Sequence, residues 1–138
     1  MSKKLNIHII HGPNLNLLGK RETSIYGNTT LSEINENLVK LAREHDKEIQ
    51  IHSFQSNHEG KLIDYIHDCK AADGILINPA GYTHTSIALR DALLAINKPF
   101  LEIHLSDTSK RESFRQHSYF SDIALKTVQG LGPDSYTE

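Results

Sequence analysis

Apolar and polar positions along the chain change period several times, and each period predicts an element. Leu5-Asn6-Ile7-His8-Ile9-Ile10 is a short apolar run that reads as a first strand. Thr30-Leu31-Ser32-Glu33 is a capping box, after which Leu31, Ile34, Leu38, Leu41 and Ala42 share one helical face to about His45. Residues 48–54 alternate polar and apolar, as a half-exposed strand does. Residues 60–71 carry Leu62, Ile63, Ile66 and Cys69 at helical spacing. Gly74-Ile75-Leu76-Ile77 is continuously apolar, which predicts a central parallel strand covered on both faces. A third helix is predicted over 85–96, with Ile87, Leu89, Ala92, Leu93 and Ile96 as its packing face. A fourth strand is predicted over 99–104, a short helix over 110–117 and a fifth strand over 123–128. From Gly130 onward periodicity stops, and the tail, about 132–138, is expected to fray.

Strands alternating with helices imply right-handed βαβ units and a parallel sheet. The prediction is an α/β, flavodoxin-like, doubly wound five-stranded parallel sheet of order 2-1-3-4-5, in a single domain spanning 1–138. Ligands of such sheets bind beyond the carboxyl ends of the strands, at the switch point between strands 1 and 3. Asn14-Leu15-Asn16, Asn78-Pro79-Ala80-Gly81 and Glu102-Ile103-His104-Leu105-Ser106 are expected to converge there. The connection between the first strand and first helix runs roughly twenty residues, where a few are usual. Its stretch from about 17 to 28, with Gly19, Arg21, Tyr26 and Gly27, is predicted to be a lid over the site.

Composition narrows the choice of function. The 138 residues are 38% apolar and 23% charged, ordinary for a soluble chain with a proper core. A formal net charge of -2 offers no basic footprint for nucleic acid. No apolar run approaches the ~18 residues of a membrane span, and the N-terminus does not read as a signal peptide, so a cytoplasmic protein is expected. Cys69, the single cysteine, is expected to serve as a small core hydrophobe. Nine histidines invite a metal, yet no His-Glu-x-x-His or cysteine pair occurs. His8, His45, His52, His58 and His67 are scattered over different elements, so no metal is expected. No Gly-x-Gly-x-x-Gly, P-loop or flavin phosphate loop follows the first strand, so no nucleotide cofactor is expected.

The remaining chemistry is acid–base. Glu102 and His104 stand two apart on one predicted strand, and so share a face. A carboxylate there fixes the imidazole tautomer and favours its protonated form, as a proton donor requires. Tyr26 is the second proton handler. A phenol acting as a base at neutral pH needs a shift of roughly three units, about 4 kcal/mol. Arg21, five residues away, is the nearby cation for that task. Arg111 and Arg115, at i and i+4, present two cations that suit an anionic ligand or simply a solvated face. A tyrosine base, a histidine acid and no cofactor point to proton abstraction with loss of a leaving group.

Four blocks then carry a resemblance. They are His11-Gly12-Pro13-Asn14-Leu15-Asn16-Leu17-Leu18-Gly19-x-Arg21-Glu22 with Tyr26-Gly27, Asn78-Pro79-Ala80-Gly81-Tyr82-Thr83-His84-Thr85-Ser86, Glu102-Ile103-His104-Leu105-Ser106, and Arg111-Glu112-x-Phe114-Arg115-x-His117-Ser118-Tyr119. In this order, over nearly the whole chain, they resemble type II 3-dehydroquinate dehydratase. The resemblance implies cofactor-free dehydration of 3-dehydroquinate to 3-dehydroshikimate through an enolate, in the shikimate or quinate pathway. It implies that Tyr26 is the base, Arg21 the cation beside it, and His104 the acid oriented by Glu102. It further implies that Asn14 helps position the water that stabilises the enolate. By the same resemblance Asn78, with backbone N–H groups and hydroxyl around Leu105 and Ser106, would hold the substrate carboxylate, while His84 and Arg115 would bind ring hydroxyls. The resemblance further implies that Asp91 reaches a neighbouring subunit's site, and hence trimers, commonly four of them in a dodecamer.

Two positions depart from the family pattern. Thr23 stands where proline is common, which implies a looser lid. Asp107 stands where asparagine is common and is expected to point away from the substrate carboxylate. The competing class is a non-catalytic flavodoxin-like binding module. A receiver module, however, needs acidic residues after strands 1 and 3, where this chain has Asn14 and Asn78. A carbon–oxygen lyase for a related cyclic hydroxy-keto acid shares the same base and acid.

Overall fold

The computed structural model describes residues 5–18, 30–45, 49–104 and 117–128, the side chain of His45 excepted. Five strands form one parallel sheet: β1 (Leu5–His11), β2 (Ile49–Gln55), β3 (Gly74–Asn78), β4 (Phe100–Ile103) and β5 (Lys126–Val128). Their order is β2-β1-β3-β4-β5, with every neighbouring pair parallel, as predicted.

The two-residue period of a strand builds the two cores. Ile10, Ile75, Ile77 and Phe100 face one side with Leu62, Ile66, Leu89 and Leu93. These last four come from α2 (Glu59–His67) and α3 (Ile87–Ile96). Ile9, Ile103 and Val128 face the other side with Ile34 and Leu38 of α1 (Leu31–His45). Cys69 is fully buried in the first core, and burial, followed by the charge of Asp68, pushes its thiol up to about 11. It is a packing residue rather than a reactive one.

Several element ends differ from the pattern read off the sequence, each for a local reason. The chain leaving β1 makes a 3-10 turn at Leu15–Leu17, inside the connection read as a loop. The second helix stops at His67, and the Cys69–Ala71 segment is a separate 3-10 turn. Helix α3 starts at Ile87 because Ser86 caps it, its hydroxyl accepting from Leu89 N–H at 3.0 Å. Thr30 plays the same part for α1, accepting from Glu33 N–H at 3.2 Å. The fifth strand is shorter than predicted: Ile123 and Ala124 N–H both donate to Phe120 O at 3.0 Å, closing a turn that delays β5 to Lys126. Two of the scattered histidines become neighbours, since His8 and His52 pair in register and stack at 4.6 Å. Among the described residues no helix is long and apolar enough to cross a membrane. The predicted helix at 110–117 (save His117), the lid beyond Leu18, and the tail lie outside the described residues.

Candidate active site

In a parallel sheet the carboxyl ends of β1, β3 and β4 lie side by side, and the chain segments leaving them carry the candidate residues. Gly12 N–H donates to Asn78 O at 2.8 Å, which sews the exit of β1 to the exit of β3. A Cβ at Gly12 would lie 2.4 Å from Pro79 O, so only glycine permits this approach. Asn14 follows in the left-handed region (φ 68°, ψ -4°), where asparagine is tolerated better than most residues. Asn78 is buried, and its Oδ1 accepts from Ala80 N–H at 3.1 Å, closing a tight turn. Ala80 is itself at φ 53°, a conformation that costs energy for a residue with a Cβ and that clusters at functional sites. The turn runs into a 3-10 segment, Ala80–His84. There the Nδ1–H of His84 donates to His117 O at 2.7 Å.

The strongest electrostatic feature lies at the end of β4. Glu102 is fully buried, yet both its oxygens are satisfied. Oε2 accepts from His104 Nε2 at 2.5 Å and from the Ser118 hydroxyl at 2.6 Å. Oε1 accepts from the Ser121 hydroxyl at 2.6 Å and the Thr127 hydroxyl at 3.1 Å. Thr127 can do this because β5 pairs it directly with Glu102. Burial alone would push the Glu102 carboxyl up, but His104 and the serine hydroxyls outweigh it and hold it below the usual carboxylate range. A carboxylate only accepts, so the facing Nε2 of His104 carries the hydrogen. His104 is itself 6% exposed, and its amide donates to Val128 O at 2.8 Å, extending the ladder one residue past β4.

His117, Ser118 and Tyr119 join the two halves. Ser118 binds Glu102, His117 binds His84, and Tyr119 N–H donates to Thr83 O at 3.0 Å. Of the residues singled out in the sequence, the described structure therefore sets Asn14, Asn78, His84, Glu102 and His104 on adjoining strand exits. Asp91 instead stands on the exposed face of α3. Tyr26, Arg21, Leu105, Ser106 and Arg115 lie outside the described residues, as do Thr23, Asp107 and Arg111.

The sequence reading missed Ser121 and Thr127 as holders of Glu102. It also missed Glu59, whose Oε2 accepts the Ser86 hydroxyl at 2.6 Å. Only Ser118 had a signal, as part of the fourth block.

His11, the last residue of β1, is fully buried, with Nε2 2.9 Å from Asn35 Oδ1. Burial, partly opposed by Asn35, lowers its pKa from 6.5 to about 4. Between those values the unfolded chain holds a proton that the folded chain rejects, so stability rises with pH there. Acid therefore costs the fold about 3 kcal/mol through His11, a loss that builds up as pH falls from 6.5 and is complete by about 4. Urea unfolding at pH 7, 5.5 and 4 is expected to show this slope in the native protein and a flatter one in His11→Asn. Equal slopes would remove His11 from the acid response.

Residues 5–138 match the family model described as Dehydroquinase class II. A relative from Francisella philomiragia subsp. philomiragia, named 3-dehydroquinate dehydratase, is 56% identical over 133 residues, covering 96% of this chain and 90% of its own. One of the same name from Francisella tularensis subsp. novicida is 54% identical over the same shares. The crystal structure of a type II dehydroquinase from Butyrivibrio crossotus superposes with a TM-score of 0.93 at 37% identity, covering 99% of this chain and 94% of that one. With the predicted strand order and the Glu102–His104 pair in place, these matches settle the family: the chain belongs to the class II dehydroquinases.

Proposed function

We propose that this protein dehydrates 3-dehydroquinate to 3-dehydroshikimate without a cofactor, using Tyr26 as base and His104 as acid. The observation that carries the reading is the buried Glu102–His104 pair at a strand exit, in a chain of the dehydroquinase family. Tyr26, as the phenolate favoured by Arg21, takes the proton alpha to the ketone, and the electrons move into an enolate. The carbonyl then re-forms as the carbon–oxygen bond breaks, and the departing hydroxyl takes a proton from His104 to leave as water. Because Glu102 occupies Nε2, the proton given up is the one on Nδ1. Proton return from Tyr26 to His104 through solvent resets the site.

Asn14 positions the water facing the enolate oxygen. Asn78, the Leu105 backbone and Ser106 hold the substrate carboxylate, and His84 and Arg115 hold ring hydroxyls. Residues from about 17 to 28 close over the substrate and exclude bulk water. Asp91 serves a neighbouring subunit within trimers, assembled as a dodecamer. The half-exposed Ile87 and Leu94 flank it on α3 at helical spacing, an apolar stripe suited to a subunit contact. Sedimentation as a 15.5 kDa monomer would remove that part of the reading.

The deciding experiment follows near-ultraviolet absorbance after 3-dehydroquinate is added, because the product is a conjugated enone and the substrate is not. A rise with native protein and almost none with Tyr26→Phe is expected. No rise from folded native protein overturns the assigned substrate, and equal rates in both proteins remove Tyr26 from the mechanism.

A further inference from the structure

We propose that Asn57 is a positioning residue for the reaction, holding the Asn14 turn in its working geometry. The proposal rests on the function assigned above to Asn14. Asn14 sits at φ 68°, outside the backbone region that L residues prefer, so something must hold it there. Its carbonyl closes the following 3-10 turn by accepting from Leu17 N–H at 3.0 Å, and its N–H donates to Asn57 Oδ1 at 2.9 Å.

The same Oδ1 accepts from Gln55 Nε2 at 3.1 Å, and Gln55 Nε2 also reaches Gly12 O at 3.2 Å. Two donors on one oxygen set which way the Asn57 amide faces. Its main chain is held as well. Asn57 O accepts the Tyr82 hydroxyl at 3.0 Å, and the preceding Ser56 is buried, with N–H donating to His11 O at 3.1 Å and Oγ accepting from His58 N–H at 3.0 Å. Asn57 therefore joins three segments: the loop after β1, the end of β2 and the 3-10 turn after β3. Its own side chain is exposed, so truncating it removes no core packing. What it removes is the acceptor for Asn14.

The test compares native protein, Asn57→Ala and Asn57→Asp, measuring kcat and KM with 3-dehydroquinate and hydrogen exchange at the Asn14 amide. In Asn57→Ala, kcat is expected to fall about tenfold, since small misplacements of a positioned group cost this much or more, with KM changed less than about twofold. The Asn14 amide is expected to exchange about tenfold faster, as a lost hydrogen bond of ordinary strength allows. Asn57→Asp keeps the acceptor and is expected to restore both kcat and exchange, its added charge appearing in KM alone. Native kcat in Asn57→Ala, a fall in kcat with unchanged Asn14 exchange, or no recovery in Asn57→Asp each overturns the proposal. If native protein leaves 3-dehydroquinate unchanged, the assigned function fails, and the exchange comparison still decides whether Asn57 holds the Asn14 turn.

Discussion

Glu102→Gln is expected to lower kcat about a hundredfold while costing the fold only about 1 kcal/mol. The asymmetry follows from the four donors around this carboxylate. Ser121 and Thr127 on Oε1 are hydroxyls, which can rotate to accept from an amide NH2. The amide oxygen can then stay opposite His104 Nε2 and Ser118, where Oε2 now sits. Shape and hydrogen bonding survive, but the negative charge does not. The imidazolium that the proposed acid requires loses its counter-charge in a buried site, where such a charge counts most. Stopped-flow rates and urea midpoints on the same preparation separate the two effects. A variant with native kcat would mean that Glu102 only packs. A variant that fails to fold would mean that the hydroxyls cannot turn.

Gly12→Ala is expected to damage both stability and activity, by about 3 kcal/mol and about a hundredfold respectively. The added Cβ would meet Pro79 O at 2.4 Å, Pro79 C at 2.6 Å and Asn78 O at 3.1 Å. All three are backbone atoms, with no rotamer by which to escape. The two strand exits must part, which breaks the 2.8 Å bond from Gly12 to Asn78 and shifts Asn14 against Asn78. Gly60→Ala is the control. Its Cβ meets nothing within 4 Å, and alanine in the first turn of α2 is expected to add about 0.5 kcal/mol. Urea unfolding and the dehydration assay read both variants. Equal behaviour of the two would mean that the contact between the strand exits is not needed.

Features carried by short-range period were legible in the sequence. The apolar run from Leu5 to Ile10 marked β1, and spacing of two put Glu102 and His104 on one face at the end of β4. Helical spacing picked out Leu62, Ile66, Leu89 and Leu93, and the alternation of elements led to the strand order. Family motifs, read as words in the chain, singled out Asn14, Asn78 and His84, which the fold sets near one another beyond β1 and β3.

What only the tertiary structure decided is who holds those residues. Ser118, Ser121 and Thr127 lie 16, 19 and 25 residues from Glu102, and Asn57 lies 43 from Asn14. A serine or asparagine that donates or accepts across such separations leaves no periodic trace, because its partner is chosen by strand register and by where a turn closes. The same reason applies to His8 and His52, scattered in sequence and stacked in space. It applies also to β5, shortened by two backbone bonds to Phe120 that the apolar pattern of Ile123 and Ala124 does not foretell. Local pattern determined the elements and the Glu102–His104 pair; long-range hydrogen bonding decided how a buried carboxylate stays charged beside its histidine.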